Sequence, residues 1–135
     1  MALWRVLACP APGGGRPVDR FVLGLGPQAE NAFTVVLGDL STLDRRFWLR
    51  PQFDVLHGYP GMGEIRFDGE AKTYRVFGYF GPRRLQFTLL NGYEKKRNMK
   101  HEMDEAAKRM RFAEENEGSL YEFKFPPKPL RKDEG

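Results

Sequence analysis

Arg66 in "GEIRF", Arg75 in "TYRVFGYF", and Tyr93, Lys95 and Lys96 in "LLNGYEKKR" are groups that can hold an anion, and His101, a few residues on, is one that can move a proton. Strand alternation decides which of them can meet. Arg66 lies on the face opposite Ile65 and Phe67, while Arg75 shares a face with Phe77 and Tyr79. If these two strands pair as neighbours in the appropriate register, the guanidiniums stand side by side. They then repel each other unless something anionic lies between them. Glu64 or Asp68 can supply that charge from within the chain, and the arrangement is then structural. The alternative occupant is a phosphate, whose oxygens the planar fork of arginine grips in pairs.

The charge around these residues is unevenly spread. From Arg83 to His101, the residues Arg83, Arg84, Lys95, Lys96, Arg97 and Lys100 face one acid, Glu94, a local +5 in a chain of net +4, so that the remainder sums to −1. Concentrated positive charge attracts polyanions or an acidic partner, although such a run can also do no more than solvate the start of a helix. Cations to hold a backbone, with the ring of Tyr93 to stack on a base, are what single-stranded RNA requires. Arg83, Arg84, Arg97 and Lys100 are the further candidates for backbone contact. His57, the second histidine, falls in a stretch without periodicity and reads as a surface or packing residue.

The elements that position these groups follow from patterning. The 135 residues, 41% hydrophobic and 30% charged, suit one globular domain with one core. The single cysteine, Cys9, excludes an intrachain disulfide and a cysteine metal cluster, and points to a reducing, cytoplasmic setting. No apolar run is long enough to cross a bilayer, and Pro10 and Pro12 interrupt the N-terminal apolar stretch too early for a signal peptide. Leu3 to Ala8 reads as a strand. Val18, Phe21, Val22 and Leu25 mark one helix behind Pro17, and Phe33, Val36, Leu37, Leu40 and Leu43 a second behind Pro27. The tight link through Gly26 makes these a helical hairpin packed on a sheet.

The stretch "RRFWLRPQFDVLHGYPGMG" is expected to be an ordered connection with Trp48 and Phe53 buried. Strand-like runs over 63–68, 73–80 and 84–91, with short turns "DGEAK" and "GPR", form an antiparallel meander, because a parallel crossover needs a dozen or more residues. Met99, Met103, Ala106, Met110 and Ala113 fall on one face of a helix ending near Glu117, where they pack rather than bind a cofactor. The expected architecture is a small single-domain α/β (α+β) fold, an antiparallel sheet with an N-terminal helical hairpin on one side and a C-terminal helix. It occupies residues 1–117, and 118–135 supply a further strand in "SLYEFKF" and a loose tail.

The ordered succession "RPVDRFVLGL", "GEIRF", "YRVFGYF", "FTLLNGYEKK" and "KHEMDEAAKRM" resembles the RelE/ParE superfamily of toxins, and within it the HigB-like and phage-derived branch of type II toxin–antitoxin pairs. The resemblance spans roughly residues 3 to 115. It implies a RelE-like fold and a ribosome-dependent endoribonuclease of messenger RNA that uses no metal or cofactor, in which a ribose 2′-hydroxyl attacks the adjacent phosphate. It also implies a cognate antitoxin as partner, together with the ribosome and mRNA. Carried onto this chain, Arg66 and Arg75 stabilise the phosphate, Lys95 and Lys96 hold RNA or pass a proton, Tyr93 stacks or donates to the leaving oxygen, and His101 is the acid–base candidate. One departure bears on activity. Members of the branch commonly read "LLHGF" where this chain reads "LLNGY", and Asn91 cannot relay a proton as an imidazole does. A ParE-like toxin acting on DNA gyrase, or a degenerate relative that binds nucleic acid without cutting it, therefore stays open as an alternative.

Overall fold

In the computed structural model, which describes residues 2–124, six strands form one sheet flanked by helices on both faces. The order along the chain is β1 (Arg5–Ala8), α1 (Pro17–Leu23), α2 (Pro27–Ser41), β2 (Phe53–Val55), β3 (Met62–Gly69), β4 (Lys72–Phe80), β5 (Gln86–Glu94), α3 (Lys100–Glu115) and β6 (Tyr121–Glu122). Across the sheet it becomes β2-β3-β4-β5-β1-β6. The expected meander is β3, β4 and β5, paired antiparallel. β1 departs from the antiparallel expectation, since it lies parallel to β5. The helical hairpin carries the chain from the end of β1 to the far edge of the sheet, a crossover long enough to permit parallel pairing.

Prolines in the first turn preset the backbone of both α1 and α2. Val18 and Val22 from α1 and Phe33 and Leu37 from α2 are buried against Ile65, Val76, Phe87 and Leu89, which alternate onto one face of the sheet. Trp48 and Phe53 join this core, as their burial was expected to require. The opposite face takes α3, whose fully buried Ala106 and Ala113 let it sit close over Phe77 and Leu90, with Met99, Met103 and Met110 partly buried around them. The methionine stripe is thus packing.

Several details differ from the sequence expectation. The aperiodic connection contains an edge strand, β2, which pairs with β3 over three residues. β5 does not stop at Asn91 but runs to Glu94, which puts Tyr93 inside the strand and not at a junction. Helix α2 ends at Ser41, so Leu43 leaves the stripe, and its carbonyl accepts from the indole nitrogens of both Trp4 (2.7 Å) and Trp48 (3.1 Å). The further strand expected in "SLYEFKF" does form, as β6 paired with β1, and with the Phe123 ring buried against Phe33 it carries the folded unit past residue 117. The C-terminal tail lies outside the described residues.

Two local devices fix the sheet beneath the helices. The β3–β4 turn places Glu70 and Ala71 at φ of 50° and 62°, a left-handed pair that side chains resist. Glu70 offsets part of that cost by accepting from the backbone nitrogens of Gln28 (2.9 Å) and Ala29 (3.0 Å), which caps the first turn of α2. Gly92 is needed for a different reason. A β-carbon there would sit 2.3 Å from the Phe21 ring of α1.

Candidate functional site

Arg66 and Arg75 are direct cross-strand partners, and Arg75 is in turn opposite Tyr93, so one row of the sheet reads Arg66, Arg75, Tyr93. The next row on the same face reads Asp54, Glu64, Phe77, Asn91. Like charges directly opposite one another destabilise a sheet, and here two such pairs lie in adjacent rows and relieve each other. Glu64 Oε2 accepts from Arg66 Nε at 2.7 Å and lies 3.2 Å from Arg75 Nε. Asp54 Oδ2 lies 3.0 Å from the far side of the Arg66 guanidinium. Of the two acids the sequence offered for the space between the arginines, Glu64 fills it and Asp68 does not.

The Glu64 and Arg75 side chains are only 10% and 12% exposed, whereas that of Arg66 is 28% exposed. Burial, ahead of the neighbouring guanidinium of Arg66, lowers the affinity of Arg75 for its proton, and the Glu64 carboxylate opposes that shift. Each arginine of the cluster is thus tied to at least one carboxylate. It is not neutral in its surroundings, however. It forms the floor of a groove of about 700 Å³ between the loop after β2 and the β5–α3 junction, which Lys95 and Arg97 also line. Four cations face two carboxylates there, an excess of two positive charges.

The remaining sequence candidates divide between this groove and other places. Lys95 is exposed, with its Nζ donating to the carbonyl of Lys96, and reaches the groove as expected. Lys96 is turned away. It pairs with Glu102, a buried carboxylate that the contact holds below its usual range. Tyr93 is half-buried with its ring 5.8 Å from that of Phe77, so it is a wall of the sheet face rather than an exposed platform. Its burial pushes the phenol from an ordinary 10 up to about 12, which makes it a weaker acid than a free tyrosine. Lys100 is exposed and pairs with Asp104 one turn along α3.

His101 does not share the groove. It lines a separate hollow of about 570 Å³ between α3 and the loop at Gly58–Pro60, where Tyr59 donates to Asp104 at 2.5 Å. The α3 helix rotates its second residue away from the sheet rows, which alternation in the strands alone does not reveal. The imidazole that does line the groove is His57, in the loop after β2. No pattern around His57 marks this, because β2 is three residues long and has no readable alternation. Arg83 and Arg84 lie in the turn between β4 and β5, at the other end of β5 from Lys95. The run of basic residues is thus divided by the length of a strand.

Asn91 is buried beneath α3 and does not line the groove, and its Nδ2 has no hydrogen-bond partner among the described residues. The lack of an acid–base group at Asn91 therefore takes nothing away from the lining of the groove.

The family model of the phage-derived Gp49-like proteins matches residues 20–111, from α1 to most of α3. The chain belongs to the Gp49-like family. A solved structure of the E. coli toxin RelE, a double arginine-to-alanine mutant in the free state, superposes with a TM-score of 0.54 at 14% identity, covering 82% of this chain and 99% of RelE. The Gp49-like chain therefore has a RelE-like fold, as the succession of sequence motifs implied. No curated protein matches it significantly. No helix among the described residues is long and apolar enough to cross a membrane.

Proposed function

We propose that this Gp49-like protein is the toxin of a type II toxin–antitoxin pair and cuts messenger RNA on the ribosome, in the cytoplasm, by a mechanism without a metal. The observation that carries this reading is the groove. It combines two registered arginines, a lysine, a further arginine and an imidazole, which are the parts needed to hold a phosphodiester and to move a proton beside it. Lys95 and Arg97, both exposed, bind the flanking backbone. Arg66 and Arg75 then face the phosphate under attack by its neighbouring 2′-hydroxyl and stabilise the charge that builds on it. His57 is the group placed to transfer protons, and Tyr93 closes the row beside Arg75.

Glu64 favours a second reading, in which the groove binds RNA without cutting it. Its carboxylate already occupies the arginine forks that a phosphate would use. Arg75→Ala and His57→Gln separate the two. With translating ribosomes, the proposal expects each variant to lose cleavage by 10²-fold or more, while His101→Gln stays close to the parent. Equal cleavage by parent, His57→Gln and Arg75→Ala would refute the assignment. Absence of cleavage by the parent, with RNA retained, would leave the binding reading. Supercoiling of relaxed DNA by gyrase in the presence of the protein provides the control for a gyrase-directed toxin, and rescue of growth by the neighbouring reading frame tests the antitoxin.

A further inference from the structure

The turn between β4 and β5 is not a remote remnant of the basic run. It meets the 3-10 turn Arg45–Phe47, and together they enclose a second cleft of about 320 Å³. Arg45, Arg83 and Arg84 line it, with one acid, Asp44, and an apolar floor that includes Trp4 and Phe80. The Arg45 guanidinium lies 4.0 Å from the centre of the Phe80 ring, a cation–π contact that anchors an otherwise exposed side chain. Arg83 reaches Glu117 at 3.4 Å across an exposed surface, a pair of little strength. Arg84 is exposed and has no ion-pair partner among the described residues. Beside the cleft, Phe47 is 51% exposed with the Arg46 guanidinium 5.1 Å above its ring.

We infer that this cleft is a second RNA-binding surface, which takes a stretch of sugar–phosphate backbone distinct from the one in the groove. On β4, Arg75 of the groove and Phe80 of the cleft are five residues apart, while Lys95 and Arg84 flank the two ends of β5. At the usual rise of a strand even the five-residue separation is roughly 17 Å, so no single phosphate can touch both. Arginine forks without a matching set of carboxylates suit a polyanion, and the exposed arginine–phenylalanine stack beside them favours nucleic acid over an acidic peptide, because a base can lie on that ring and a carboxylate cannot. The inference goes beyond the proposed cleavage and does not need it, since binding alone is its content.

The test is fluorescence anisotropy with two labelled RNAs, a short oligonucleotide that fills the groove alone and a longer single strand, measured over a range of salt. Arg45→Ala/Arg84→Ala should weaken the longer RNA and flatten its salt dependence by about one per arginine removed, with the short RNA unaffected. Arg45→Lys/Arg84→Lys, which keeps the charge, should retain most of the salt slope, and unchanged thermal melting of both variants excludes misfolding. Unchanged affinity and slope for the longer RNA in the alanine variant would overturn the inference, as would an oligoglutamate peptide whose binding is lost in that variant while RNA binding is not. Loss of cleavage in Arg75→Ala with this pattern intact supports both sites. Absence of cleavage in every form, with the pattern intact, removes the nuclease proposal and leaves the second surface standing.

Discussion

Glu64→Gln removes one negative charge from between two registered guanidiniums and changes almost nothing in shape. Its side chain is 10% exposed, and its Oε2 stands 2.7 Å from Arg66 Nε and 3.2 Å from Arg75 Nε. Removing one partner of a fully buried ion pair typically costs about 3–5 kcal/mol, because an uncompensated charge remains. Two features reduce that here: Arg66 is 28% exposed and keeps Asp54, and the amide oxygen of glutamine still accepts one hydrogen bond. A loss of about 2–3 kcal/mol is therefore expected, or about 10 °C in melting temperature for a chain of this size. The same change raises the excess positive charge of the groove from two to three. Inorganic phosphate should then stabilise the variant more than the parent, since a ligand that binds only the folded state adds stability that rises with the logarithm of its concentration over its dissociation constant. Urea denaturation with and without phosphate measures both effects. Parent-like stability, or equal protection of the two forms by phosphate, would show that Glu64 does not hold the arginines and that the groove is not an anion site.

Two further outcomes follow from the packing. Tyr79 and Tyr93 are both pushed up to about 12 by burial, from an ordinary 10. Between those values the unfolded chain gives up protons that the folded one keeps, so stability present below pH 10 should fall progressively towards pH 12; denaturation midpoints that stay level over that window would contradict the burial of the two phenols. Gly92→Ala should cost about 1–3 kcal/mol, because the added methyl meets the Phe21 ring; a circular-dichroism melt as high as the parent's would mean that α1 does not seat where the structure puts it.

Much of the fold is legible in the sequence itself. Proline-led helices with apolar stripes, a meander with short turns and the Ala106–Ala113 face of α3 each announce themselves because local periodicity is imposed by which side must face a core. Strand alternation likewise placed Arg66 and Arg75 on rows that could meet. β2 was not legible, since three residues carry too little period, and neither was the parallel seat of β1, which depends on where a long crossover returns the chain.

The candidate site shows the limit more sharply. Sequence alone determined that the chain carries an excess of cations, that Arg66 and Arg75 belong to neighbouring strands, and that an acid or a phosphate must lie between them, because these follow from charge and from a period of two. Only the tertiary structure decided that Glu64 is that acid, that His57 rather than His101 enters the groove, and that Arg83 and Arg84 belong with Arg45 at the other end of β5. Those choices rest on distances between segments far apart in the chain, and a linear pattern contains no information about which of them the core draws together.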